Sequence, residues 1–302
     1  MVSLANTKEV LYLVNRPGNH TSQQDSVEWI DRAIALVQAV AQQTTLRGDT
    51  DFTHTRQLDR WDEQGVKFLF GLDAHVKAVG LADGLAASAW AKLERPPKYD
   101  ILTEPRSKPA RIKEELVRAA GYKNIVLEGE DVAEIEYQPS NCSKSYRLII
   151  LRKNLSVQRG EQVLLEDIRY FFYLTNRRDL TMAQVVGLAN QRGDQENVIE
   201  QLKNGVNAMR MPVDTLESNW AYMVMAALAW NLKAWFALLV PERERGLELL
   251  GMEFRRFLQA VMLLPSQVVR TARRIIWRIL SYNHWLKDFF ATFERIILLA
   301  GP

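Results

Sequence analysis

Residues 44–74, TTLRGDTDFTHTRQLDRWDEQGVKFLFGLDA, hold a short strand-like piece, TTLRG, and an apolar run, VKFLFGL, separated by a segment that reads as a helix near Thr53 to Glu63. Short runs of β-branched and aromatic residues bounded by turn formers predict strands. Upstream, Val10 to Val14 is another apolar run, closed by Asn15-Arg16-Pro17-Gly18-Asn19. From Asp25 to Val40 apolar residues recur at helical spacing (Val27, Ile30, Ala33, Ile34, Val37, Val40), with Asp25 or Ser26 as the N-cap. Strand alternating with helix predicts an α/β layer on a largely parallel sheet.

Downstream of His75 that rhythm breaks. A small Ala-rich helix (Leu81 to Leu93) leads into a charged, proline-containing stretch and then into strand-like runs, among them YRLIILRKN (Tyr146 to Asn154) and IRYFFYLTN (Ile168 to Asn176). We read residues 1–75 as the first part of a core, 76–165 as a mostly β insertion, 166–212 as the return of the core, and 213–302 as a helical C-terminal region. From Thr181 onward the expected helices are one long helix to Asn207, then Leu216 to Val240, Gly246 to Leu264, Pro265 to Ser281 and His284 to Ala300.

Composition narrows the classes. With 302 residues, 47% apolar and 25% charged, the chain is long enough for roughly two domains and is neither collagenous nor low-complexity. Its single cysteine, Cys142, excludes an internal disulfide framework, and the four histidines (20, 54, 75, 284) are scattered, which argues against a His/Cys zinc site and fits a cytoplasmic protein. The net charge of +3 permits a polyanionic partner without requiring one. Trp220 to Val240 is apolar enough to raise a membrane span, but Lys233 at its centre costs about 2.5–3.5 kcal/mol on insertion scales, so the expectation is a core helix and no membrane.

Three features carry chemistry. In NQRGDQENVIEQLKNG, a continuous helix would stack Arg192, Glu196 and Lys203 on one face, either as a solvated ion-paired face or as a functional line of cation, carboxylate and cation. In LRGDTDF, Asp49 directly follows a strand, where an α/β sheet presents ligands, and the local residues alone read first as a turn or N-cap aspartate before the Thr53 helix. Finally, Arg270, Arg274 and Arg278 recur every fourth residue and predict a basic stripe on a helix, suited either to solvent or to a DNA backbone.

Taken in order, LRGDTDF, WDEQGVKFLFGLDA, YFFYLTN, NQRGDQENVIEQLKNGVNAMRMP and SNWAYMVMAALAWNLKAWF resemble bacterial insertion-sequence transposases with a DDE catalytic domain, of the insertion sequence thirteen-eighty type. The resemblance implies an RNase H-like mixed sheet, a two-Mg2+ site held by two aspartates and a glutamate, and DNA as substrate: the element's terminal inverted repeats and the target. It also implies a homodimer. Asp49 takes the place of the second aspartate and Glu196 that of the glutamate, both as catalytic metal ligands. Arg192, Glu196 and Lys203 satisfy the family signature Y-x-x-R-x-x-x-E-x-x-x-x-x-x-K, whose tyrosine position is Ala189.

The front of the chain departs from that pattern. No aspartate precedes Asp25, the only acid before it is Glu9, and Asp25, Glu28 and Asp31 fall on the first expected helix. The resemblance therefore implies a chain that starts downstream of the first catalytic strand and lacks the first core strand. The expected consequences are little or no strand transfer, exposed sheet edges and poor solubility.

Overall fold

The computed structural model describes residues 1–21, 23–95, 115–116, 119–121, 123–159, 162–191, 193–280 and 283–300. In chain order the elements are β1 (Val2–Ser3), β2 (Val10–Tyr12), α1 (Ser26–Gln38), β3 (Thr45–Gly48), α2 (Leu58–Glu63), β4 (Lys67–Leu72), α3 (Val76–Asp83) and β5 (Ala91–Lys92). The long strands β6 (Lys123–Tyr137), β7 (Tyr146–Arg159) and β8 (Gln162–Thr175) follow. After them come α4 (Met182–Asn190), α5 (Gly193–Glu200), α6 (Leu216–Leu239), α7 (Arg243–Gly251), α8 (Phe254–Phe257), β9 (Ser266–Arg270), β10 (Ile275–Ile279) and α9 (Leu286–Ala300). The chain forms two compact units, one of Met1–Ala33 with Gly193–Pro302, the other of Ile34–Arg192.

The unit of Ile34–Arg192 is built on one six-stranded sheet in the order β3-β4-β8-β7-β6-β5. Only β3 and β4 run parallel; every other pair is antiparallel. The fold is thus a mixed α/β sheet, more antiparallel than the alternating upstream pattern implies. The strands expected in the insertion, β6 and β7, extend the same sheet as β3 and β4, because β8 returns to lie between β4 and β7. The central strands are buried on both faces, as the unbroken apolar runs Phe68-Leu69-Phe70 and Leu148-Ile149-Ile150-Leu151 require. On one face Val185 and Val186 of α4 pack on Leu69, Val132, Ile149 and Leu151. Among the described residues β3 is an edge strand.

The other unit is mainly helical and is built around α6. Its Ala227 and Trp230 pack with Val10, Val198, Leu202, Ala208 and Phe254, while Ala234 and Ala237 pack with Leu249, Leu250 and Trp285. Although α6 is long and apolar enough to cross a membrane, one of its faces is a protein core that includes Lys233. The Lys233 ammonium donates to the carbonyls of Leu250 and Met252, which end α7, and lies 4.3 Å from the centre of the Trp230 ring. The strand expected at Val10 belongs to a small β1–β2 hairpin rather than to the main sheet. It is held on α6: Asn231 accepts from Val10 N at 2.8 Å and donates to Val10 O at 2.9 Å, and Trp230 and Trp220 donate to Lys8 O and Leu13 O.

Four expected helices take other forms. The Ala-rich helix at Leu81 to Leu93 is instead the end of α3 (Val76–Asp83), a 3-10 turn at Ala87–Ala89 and the short strand β5. The helix at Pro265 to Ser281 is instead the antiparallel hairpin β9–β10, because Val268, Val269, Ile275, Ile276, Ile279 and Trp277 favour an extended backbone over a helix. The long helix from Thr181 to Asn207 is divided into α4, α5 and a π-helical turn at Gln201–Gly205. The helix from Gly246 to Leu264 is likewise split at Gly251.

Candidate functional site

Asp49 stands directly after β3, at the head of a single 3-10 turn over Thr50–Phe52, with φ −81° and ψ −174°. It occupies the N-cap position of this turn, although its side chain makes no capping hydrogen bond. The turn is closed by its backbone: Asp49 O accepts from Phe52 N at 3.1 Å and from the Thr53 hydroxyl at 3.2 Å. The same hydroxyl also hydrogen-bonds Gly71 O on β4.

Two glycines let this turn press against β4. A Cβ on Gly71 would lie 3.1 Å from Thr50 Cγ2 and 3.2 Å from Thr50 N, and one on Gly48 would lie 3.0 Å from the Phe70 ring. Because β3 and β4 are parallel, Asp49 and Asp73 both follow the carboxyl ends of their strands, the position at which sheets of this class present ligands. Asp73 was not singled out by its sequence. It becomes visible only from the parallel register that sets Gly48 opposite Phe70.

A shallow polar cleft continues from the Asp49 turn, lined by Thr53, His54, Thr55, Arg56, Gln57 and Asn141. Burial lowers the His54 pKa, favouring the neutral imidazole. The β6–β7 turn closes the cleft: Asn141 donates to the Thr55 hydroxyl at 3.3 Å, and the Cys142 thiol to Thr55 O at 3.1 Å. Burial pushes that thiol up to about 11, so Cys142 is a packing residue. Asp59 fixes the turn by accepting from Tyr146 Oη at 2.6 Å and from Ser143 Oγ at 2.7 Å. Desolvation raises the Asp59 carboxyl, but these hydrogen bonds outweigh it and hold its pKa below the ordinary value.

A further positioning residue is Arg47, two residues before Asp49. Its guanidinium donates to Leu188 O at 3.0 Å and reaches Gln191 Oε1 at 3.5 Å, tying the carbonyl end of α4 to β3. The other end of α4 is fixed by a full capping box between Thr181 and Gln184. Neither pairing has a short-range signature, since Arg47 and Leu188 are 141 residues apart.

Glu196 lies in the first turn of α5 and is exposed. It belongs to the helical unit and Asp49 to the sheet unit. Arg192 lies outside the described residues. Lys203 sits in the π-helical turn, whose wider winding takes it out of the seven-residue alignment with Glu196 that a continuous α-helix would give. Arg270 ends β9, Arg274 follows the hairpin turn, and Arg278 lies within β10, so the three share a ribbon instead of a helix face. Among the described residues no group of three or more His, Cys, Asp and Glu side chains gathers as a metal would require, so these residues do not by themselves fit a complete two-metal centre.

A family profile described as transposase DDE domain group 1 matches residues 4–300. No curated protein matches the chain.

Proposed function

The chain belongs to the transposase DDE domain family, and from that premise we propose that it is a transposase of a bacterial insertion sequence, of the thirteen-eighty type, that cleaves DNA at the ends of its element and transfers the strands to a target. The observation that carries the reading is the family match over residues 4–300, and it is supported by Asp49 at the carboxyl end of β3 in a mixed α/β sheet. The family generally uses divalent metal, here taken to be magnesium. Asp49 and Glu196 are the two carboxylates assigned to the chemistry. Among the described residues no strand before β3 carries an aspartate to complete the triad: Asp25 precedes α1 with φ +59° and Asp31 lies within α1. We therefore expect these 302 residues alone to be impaired in strand transfer.

A second reading, a non-catalytic DNA- or partner-binding relative, is favoured by the exposed arginines of β9–β10 and by the lack of a three-acid cluster among the described residues. Incubating the chain, Asp49→Asn and Glu196→Gln with labelled element ends and Mg2+ separates the two. Loss of cutting in both variants beyond the roughly 10–100-fold typical of indirect damage to a metal site supports the transposase. Cutting that survives both substitutions removes these residues from catalysis, and DNA binding without any cutting favours the second reading.

A further inference from the structure

The hairpin β9–β10 is an unusual surface for an exposed element. Of residues 266–279 all but Val269 and Ile279 are exposed, with Val268 at 56%, Ile275 at 68% and Trp277 at 73%. The register sets Trp277 opposite Val268 and Ile275 opposite Arg270, so these four side chains share one face of the ribbon. Arg278 lies on the other face, and Arg273 and Arg274 are at the tip. That tip is pinned by Thr271, whose N–H donates to Arg274 O at 2.9 Å and whose hydroxyl accepts from Arg274 N at 3.1 Å. The Trp277 indole N–H donates to Ser266 Oγ at 2.7 Å, which ties the ring across the strand pair.

Charge distinguishes this ribbon from an ordinary solvated face. Between Phe254 and Lys287 the chain has six arginines and one lysine and no aspartate or glutamate. Among the described residues none of the four ribbon arginines is in an ion pair. A folding role does not account for four arginines without acids beside four exposed large apolar side chains, Val268, Ile275, Ile276 and Trp277, since a surface serving only solubility mixes the two signs and limits such patches. The dimensions also suit a duplex: paired strands lie about 5 Å apart, and a major groove about 12 Å wide admits a two-stranded ribbon.

Resting on the transposase reading, we propose that β9–β10 is a DNA-binding ribbon seated in a groove of duplex DNA, with Arg270, Arg273, Arg274 and Arg278 on phosphates and Trp277, Val268 and Ile275 turned to the base edges. The full chain is titrated against a mixed-sequence duplex by fluorescence anisotropy over a range of NaCl concentrations. Replacing the four arginines together by Gln is expected to weaken binding about 100-fold or more at low salt and to flatten the slope of log K against log salt by about 3.6, as loss of four phosphate contacts requires. The matching four-Lys variant is expected to keep the slope, which separates lost charge from a misfolded ribbon. Trp277→Ala is expected to lower affinity about 10-fold at unchanged slope, as for an apolar anchor. An unchanged slope in the Gln variant overturns the proposal. So does a Lys variant that loses as much as the Gln variant, or a Gln variant that changes oligomeric state but not DNA affinity, which would make the ribbon a contact between copies. Cleavage is measured separately in Asp49→Asn and Glu196→Gln; if both leave cleavage intact, the transposase reading falls while the ribbon stands.

Discussion

Gly71 shows how tightly one residue can govern another. Its missing Cβ leaves room for Thr50 N and Thr50 Cγ2, and Thr50 is the residue after Asp49. Gly71→Ala must push that backbone by a few tenths of an ångström, and where misplacement by 1 Å costs about 100-fold, a loss of roughly three- to ten-fold in cleavage rate is expected. The check is the single-turnover rate beside an unchanged thermal midpoint; an unaltered rate would show that the turn does not aim Asp49. Lys233 gives a second residue-scale prediction. Burial lowers its pKa to about 7, well below that of a lysine in the unfolded chain. The unfolded state therefore binds more protons between about pH 7 and the ordinary lysine range near 10, and stability should rise with pH across that window. Lys233→Met should flatten this rise in midpoints measured from pH 6 to 10, and a variant with the wild-type slope would count against it. The strand-end position of Asp49 was legible because a short β-run gives way to polar residues there. The burial of Lys233 was not, since the Leu250 and Met252 carbonyls that receive it lie on a different helix.

Elements were legible where periodicity and propensity agreed. The helix read at Asp25 to Val40 appears as Ser26–Gln38, and the runs at Lys67, Tyr146 and Ile168 all lie in strands of the main sheet. They were illegible where the two conflicted. Arginines four apart imitate a helix at Arg270, Arg274 and Arg278, while the β-branched residues between them favour the observed hairpin. Capping by a distant side chain is equally hidden, and the β1–β2 hairpin depends on it. Asn231 meets both the N–H and the carbonyl of Val10, as a neighbouring strand would. Asn231→Ala leaves two backbone groups unpaired at a residue only 6% exposed, and a loss of about 1–3 kcal/mol is expected in denaturant titrations. Asn231→Asp keeps the acceptor but loses the donor and should be destabilising as well; stability equal to the parent in both variants would dismiss this role.

At the scale of the whole molecule, the two units differ in how the chain supplies them. The sheet unit is one contiguous segment, Ile34–Arg192, whose core of Leu69, Val132, Ile149, Leu151, Val185 and Val186 lies within it. The helical unit joins Met1–Ala33 to Gly193–Pro302, and Val10 is part of its core with Trp230 and Phe254. The docking of the first residues on α6 had no signal along the chain, because it rests on long-range pairing between residues as far apart as Lys8 and Trp230. Deleting residues 1–14 should therefore expose the Trp230 cluster and strip the donors of Trp220, Trp230 and Asn231 of their acceptors, without removing any residue of the sheet unit. In hydrogen exchange of the truncated chain, amides of α6 should lose protection while those of β7 and β8 keep it, since local stability follows buried contacts within each cooperative unit. Equal loss in both regions would mean that the sheet does not hold its structure independently of the helical unit. Retained protection in α6 would mean that the N-terminal hairpin only decorates a core that α6 completes with α7 and α8.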